Sequence, residues 1–309
     1  MKIFSKYIHT KQNEGLKALV LSDLHIFDLK DMKKIEMIMT SLKSKVYDVI
    51  YLVGDIIDST KALLYDSQVY YDLLTFISYL GYVAPTYIVY GSHDISIYNI
   101  YCQKWIDDFF HFNSQFLEVV SGFRNINILE NETKYLKYGY TISGFNPPLK
   151  YAYNKPDGDT DVLLEEGGFE FLKNLNPNNT NTFLCHYPAV ITDLAKEGYL
   201  DTVDLGIAGH THNGMTQFRF LPVELILNLF GQANRGIITA AKSFNLQNTK
   251  NLRGVSMLND RCTLVINPAV TSLAACAGAL RNLEGLFYAG ATEINYVPKE
   301  EMKLQREKH

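Results

Sequence analysis

The chain is punctuated by short apolar runs that stop at an acidic residue or a histidine. Leu16 to Leu21 (LKALVL) stops at Ser22-Asp23-Leu24-His25. Val46 to Val53 stops at Gly54-Asp55, and Thr86 to Tyr90 at Gly91-Ser92-His93-Asp94. Thr182 to Cys185 stops at His186, and Leu205 to Ala208 at Gly209-His210-Thr211-His212. Runs this short, rich in β-branched and aliphatic residues, read as buried strands. Between the first three lie segments of helical spacing. Asp31 to Leu42 sets Ile35, Ile38, Met39 and Leu42 on one face; Ser67 to Leu80 does the same with Val69, Leu73, Phe76, Ile77 and Leu80, and Gly81 is expected to end it. Alternating strand and helix predicts a parallel sheet core. In such sheets ligands collect beyond the carboxyl ends of the strands, which is where the motifs stand.

Further along, Tyr98 to Phe112 is aromatic-rich and expected to be helical. Strands are expected at Asn125 to Leu129 and Tyr138 to Ser143, a loop from Gly144 to Asp161, and the end of a helix at Phe169 to Leu175. The C-terminal third reads as strands and turns, with 301–309 a frayed tail. No repeat or linker interrupts the chain, so one domain over 1–309 is expected.

Composition narrows the function. With 309 residues, 47% apolar and 20% charged, the chain is long enough for a large core and ordinary for a globular protein. A net charge of -4 argues against broad nucleic-acid binding. The four cysteines form no C-x-x-C and read as reduced thiols. The N-terminal MKIFSKYIHTKQNEG is polar, so no secretory signal is expected and the compartment is read as cytoplasmic. Cys262 to Leu280 lacks charge, but Asn267-Pro268 makes it a poor membrane span and it is read as buried strand and loop. Phe220 to Phe230 (FLPVELILNLF) is either a core helix or an apolar lip for peripheral membrane contact.

Five of the eight histidines sit in the motifs. Asp23 and His25, two residues apart at a strand end, can grip one cation from one side. Asp55 follows a glycine that permits a tight turn, and a carboxylate can bridge two cations roughly 3.5–4 Å apart. His93 could protonate a leaving oxygen, with Asp94 holding its ring. His210 and His212 can each reach a different metal. Each motif alone also has a structural reading as a turn, cap or core histidine. All five in one order point to a two-metal phosphoester site.

These residues resemble the calcineurin-like metallophosphoesterase superfamily, whose pattern D-x-H, G-D, G-N-H-[DE], H and G-H-x-H is spread here from Asp23 to His212. The bacterial branch with a G-H-T-H-G-G motif is most similar. The resemblance implies an α/β fold, a two-sheet β sandwich flanked by helices. It implies one metal on Asp23, His25, Asp55 and His212, and a second on Asp55, His186, His210 and the position of Ser92. His93 matches the catalytic histidine, and a water or hydroxide between the metals would attack phosphorus in line. Nitrogen and oxygen ligands suit two divalent ions of Mn, Fe or Zn. Ser92 stands where the family has asparagine, so a carbonyl ligand of the second metal is replaced by a shorter hydroxyl. The implied function is hydrolysis of a phosphomonoester or phosphodiester, on a small phosphoester or lipid head group. A degenerate metal-binding scaffold and a nuclease are the alternatives. The substrate loops, including Tyr151 and Tyr153, carry no readable motif, and the sequence leaves the oligomeric state open.

Overall fold

The structure is a computed structural model that describes residues 2–26, 29–57, 67–95, 97–99, 104–106, 110–147, 164, 167–210, 254–270 and 290–298. Two six-stranded mixed sheets face each other. The first runs β1 (Ile3–Thr10), β14 (Ala291–Pro298), β2 (Leu16–Leu21), β3 (Val49–Val53), β4 (Thr86–Val89), β7 (Ile126–Ile128). The second runs β12 (Gly254–Met257), β13 (Thr263–Ile266), β11 (Leu205–Ala208), β10 (Thr180–Leu184), β9 (Tyr140–Gly144), β8 (Glu132–Tyr135).

The period-2 geometry of a strand explains the layering. In β2, Ala18 and Val20 face the space between the sheets, while Leu19 and Leu21 face outward into a second core. β3 divides the same way, with Val49, Tyr51 and Val53 inward and Ile50 and Leu52 outward. The outward core of this sheet is covered by α1 (Leu29–Leu42), α2 (Ser67–Val83) and α3 (Phe110–Ser121). α2 contributes Val69, Leu73, Phe76, Ile77 and Leu80, all fully buried. On the other sheet, Phe183, Ala208, Leu264 and Ile266 pack outward with α4 (Pro188–Lys196). The fold is thus an α/β sandwich with helices on both outer faces. Among the described residues, no helix is long and apolar enough to cross a membrane.

Two local expectations are corrected, the helix from Tyr98 to Phe112 and the helix end at Gly81. The expected parallel core is present, with β2, β3, β4 and β7 pairing parallel in one sheet and β9, β10, β11 and β13 in the other, while β14 runs antiparallel to β2, and β8 and β12 pair antiparallel at the edges of the second sheet. Residues Ile3–Thr10, in the polar N-terminal stretch, form an edge strand parallel to β14. One face of that strand stays open to solvent, so its apolar residues are too sparse to announce a core strand. Part of the expected helix from Tyr98 to Phe112 is a two-stranded ribbon, β5 (Ile97–Asn99) against β6 (Lys104–Ile106). Aromatic and β-branched residues favour strands, and among the described residues helix runs over Phe110–Ser121. Gly81 does not end α2, which continues to Val83. A Cβ there would stand 2.5 Å from the Arg124 carbonyl oxygen, so the glycine permits close packing of helix on chain.

The motif-bearing turns of both sheets meet at one end of the sandwich. The Asp23 and His25 N–H groups donate to the carbonyls of Gly54 and Asp55, and His186 Nδ1 lies 2.8 Å from the Val53 carbonyl oxygen of the opposite sheet.

Candidate metal centre

Asp55 is the hub. It leaves β3 in left-handed backbone, φ 53°, immediately after Gly54 at φ 72°. Its carboxylate takes part in two groups of ligand-capable atoms that each lie within 4.8 Å of one another: His25, Asp55 and His93, and Asp55, His186 and His210. His186 Nε2 stands 3.1 Å and His25 Nε2 3.7 Å from Asp55 Oδ2. The first group lies on turns of the first sheet. The second joins the two sheets. The sequence-based residues therefore converge, with a shared carboxylate between two donor sets.

The turns are built for this approach. Of the seven non-glycine residues at positive φ among the described residues, four are candidate ligands: Asp23, His25, Asp55 and His210. Left-handed backbone costs a non-glycine residue roughly 1–2 kcal/mol, and such strain gathers at functional sites. The glycines beside them also leave out atoms that would clash. A Cβ on Gly54 would lie 2.5 Å from His186 Nδ1, one on Gly209 2.5 Å from Asp23 Oδ2, and one on Gly91 would overlap Asp55 Oδ1. Two backbone N–H groups then fix carboxylates in place: His93 N donates to Asp55 Oδ1 and His210 N to Asp23 Oδ1, each at 2.9 Å.

Burial divides the residues. Asp23, His25, Asp55 and His186 are at most 2% exposed. His93 and His210 are half-buried and form the open side. The His25 and His93 rings meet edge-on at 4.7 Å, and His210 packs against His186 and Tyr187. Asp94 spends both oxygens on the backbone, accepting from Asp55, Ile56, Ile57 and Gly91 N–H groups at 2.8–3.2 Å. It clamps the Gly54 and Gly91 turns together, a structural role beside the ring-holding one expected from the motif. Ser92 begins a single helical turn, Ser92–Ile95. Its side chain and His212 lie outside what is described, as do 148–161 and 220–230.

The electrostatics fit a cation. Burial alone would raise the Asp55 carboxyl; the imidazoles of His186, His93 and His25 outweigh it and hold the group well below the usual carboxylate range. Burial would lower His186, but the Asp55 and Asp23 charges and the Val53 carbonyl push it up to about 9. Burial and the charge of Asp55 raise Asp94 to about 6 against its backbone donors. With His186 Nδ1 donating to Val53, Nε2 carries the lone pair in the neutral ring. That buried atom has no hydrogen-bond partner among the described residues, although an anionic oxygen is 3.1 Å away. A lone pair facing a carboxylate calls for positive charge between them, either a proton or a metal ion. The donors are nitrogen and oxygen throughout, the set expected for hard or borderline divalent ions.

A residue outside the motifs also belongs to this end of the molecule. Asn146 Oδ1 accepts the Tyr90 N–H at 2.9 Å, and its Nδ2 donates to the Leu129 carbonyl at 2.8 Å. The Asn146-Pro147 pair after an apolar run was the available signal.

The chain is similar to several known proteins. An uncharacterised metallophosphoesterase of Helicobacter pylori (strain ATCC 700392 / 26695) is 24% identical over 219 residues, 71% of this chain. The chain spans about half, 49%, of that relative's length. Among solved structures, a dimetal phosphatase from Danio rerio is similar at 10% identity and a TM-score of 0.42, covering 64% of this chain and 82% of its own. A purple acid phosphatase from yellow lupin (Lupinus luteus) seeds is similar at 13% identity and a TM-score of 0.40, covering 66% and 39%. The family profile described as calcineurin-like phosphoesterase matches residues 16–214, more than half of the chain. The chain belongs to the calcineurin-like phosphoesterase family.

Proposed function

We propose that this chain is a metal-dependent hydrolase of phosphomonoesters or phosphodiesters, acting on a small phosphoester or a lipid head group. The observation that carries this reading is the Asp55 carboxylate, shared between His25 and His93 on one side and His186 and His210 on the other. Asp23, His25, Asp55, His186 and His210, with His212 by family pattern, would hold two divalent ions of Mn, Fe or Zn. Bound there, such ions would neutralise phosphate charge and lower the pKa of a water. The protein's own groups supply the rest. The buried carboxylates and imidazoles hold fixed positions without solvent competition. His93, half-buried at the open side, would give a proton to the leaving oxygen. Asp94 keeps the His93 turn in place through the backbone.

One sequence feature favours a second reading. Ser92 replaces the family's asparagine, which weakens the second cation position and would suit a metal-binding scaffold of little activity. Hydrolysis of p-nitrophenyl phosphate and bis-p-nitrophenyl phosphate with Mn²⁺, compared with chelated protein and Asp55→Ala, separates the two. Metal-dependent turnover lost in Asp55→Ala supports the enzyme; metal uptake without turnover supports the scaffold.

A further inference from the structure

Two asparagine-proline pairs end strands of the second sheet beside the candidate metal centre. Asn146-Pro147 follows β9 and Asn267-Pro268 follows β13. A proline cannot donate to the ladder, so each pair is a natural strand end. That accounts for the prolines and leaves the amide side chains to be explained.

Both amides reach across to the first sheet. Asn267 is fully buried. Its Nδ2 donates to Ser22 Oγ at 2.9 Å, and to the carbonyl of Pro268 at 2.9 Å. Its backbone N–H donates to the Ala208 carbonyl at 2.8 Å, and the Val270 N–H reaches the Ser22 carbonyl at 3.1 Å. Asn267 therefore joins the turn that carries Asp23 to the strand end that carries His210. Asn146 does the same on the other flank, gripping Tyr90 N–H after β4 and the Leu129 carbonyl after β7. Its own N–H is held by Asn131 Oδ1 at 2.9 Å. The two asparagines bracket the turns in which Asp55 faces His186 and His210.

We propose that Asn146 and Asn267 are positioning residues that fix the two sheets' ligand-bearing turns against each other, and so set the affinity of the cation held between Asp55 and His186–His210. This rests on the function proposed above. Metal–ligand distances tolerate only about 0.2 Å of error, so a site whose ligands come from two sheets depends on their register. Three of the four ligands that the family pattern gives the other cation, Asp23, His25 and Asp55, follow strands of one sheet, so that site depends on the register less.

That asymmetry gives the test. The full chain, stripped with chelator, is titrated with Mn²⁺ by calorimetry as the parent, Asn267→Ala and Asn146→Ala. Two uptake steps are expected in the parent. Each variant should weaken the looser step about 10–100-fold, the usual cost of removing a supporting partner of a ligand, and leave the tighter step in place. Equal loss at both steps, or none at either, overturns the assignment. Should an asparagine variant fail to fold, Ser22→Ala removes the Asn267 bond from the other sheet. It should weaken the same step, and an unchanged looser step in Ser22→Ala counts against the proposal. A parent that takes up no Mn²⁺, or one ion only, refutes the underlying function instead, which distinguishes the two failures.

Discussion

Asp55 concentrates the consequences of this site in one side chain. Because its carboxylate serves both donor groups, Asp55→Ala should remove bound metal at both positions, which elemental analysis of purified protein checks directly. Undiminished metal would disprove the sharing. His93 is expected to behave differently. General acid catalysis contributes roughly 10²–10⁴-fold, so His93→Ala should lower turnover by that order while metal content is largely kept. The loss should shrink for leaving groups such as p-nitrophenolate that need little protonation; equal losses across leaving groups would argue against proton donation. Ser92→Asn should restore a carbonyl ligand and tighten the weaker ion, visible as a raised activity at limiting Mn²⁺ and a smaller gain at saturating Mn²⁺. The ligand residues were legible because side-chain chemistry and spacing are written in the chain. Their backbone was not. Nothing in Asp23, His25 or His210 as letters announces φ of 53°, 45° and 66°, because the turn geometry is imposed by neighbours such as Gly54 and Gly209 and by hydrogen bonds from the opposite strand end.

At the level of strands and helices, legibility followed burial. β3, β4 and β11 and the later parts of β2 and β10 are buried on both faces, so their apolar runs stand out. β1 and the β5–β6 ribbon do not have that signature. β14, in the first sheet, shows what a partly polar strand hides. Its Glu293 accepts from Tyr47 OH at 3.2 Å and pairs with Lys17 and Lys45 at 3.2 and 3.4 Å. Burial alone would raise this carboxyl, but Lys17 and Lys45 outweigh it and lower it from its ordinary value. A lowered folded-state value means the stabilisation is present above the unfolded glutamate range and is lost as pH falls through the folded value. Glu293→Gln should therefore cost about 1 kcal/mol near neutral pH, and the gap from the parent should close in acid. A thermal-melt series from pH 7 downward checks the sign. A gap that widened in acid would disprove it. Gly81 provides a second check on α2. Alanine ordinarily stabilises a helix interior, yet here its Cβ would press on the Arg124 carbonyl, so Gly81→Ala should destabilise by about 1–3 kcal/mol.

For the molecule as a whole, the sandwich brings anionic and imidazole groups from distant parts of the sequence into one largely buried region. His210 N and Asp23 Oδ1 are 187 positions apart. Holding Asp23, Asp55 and Asp94 there at 2% exposure or less gathers buried negative charge that a bound cation would offset further. Metal binding and folding are then linked: an ion that binds only the folded chain stabilises it by RT ln(1 + [L]/Kd), about 2.7 kcal/mol at a hundredfold excess over Kd. For a chain of this size each kcal/mol moves the midpoint by about 2–4 °C. Saturating Mn²⁺ should accordingly raise the melting midpoint by about 5–10 °C over chelated protein, and Asp55→Ala should abolish most of that rise. If Mn²⁺ left the parent's midpoint unmoved while uptake was measured calorimetrically, the metal would have to bind folded and unfolded chains alike. The donor groups would then owe nothing to the meeting of the two sheets.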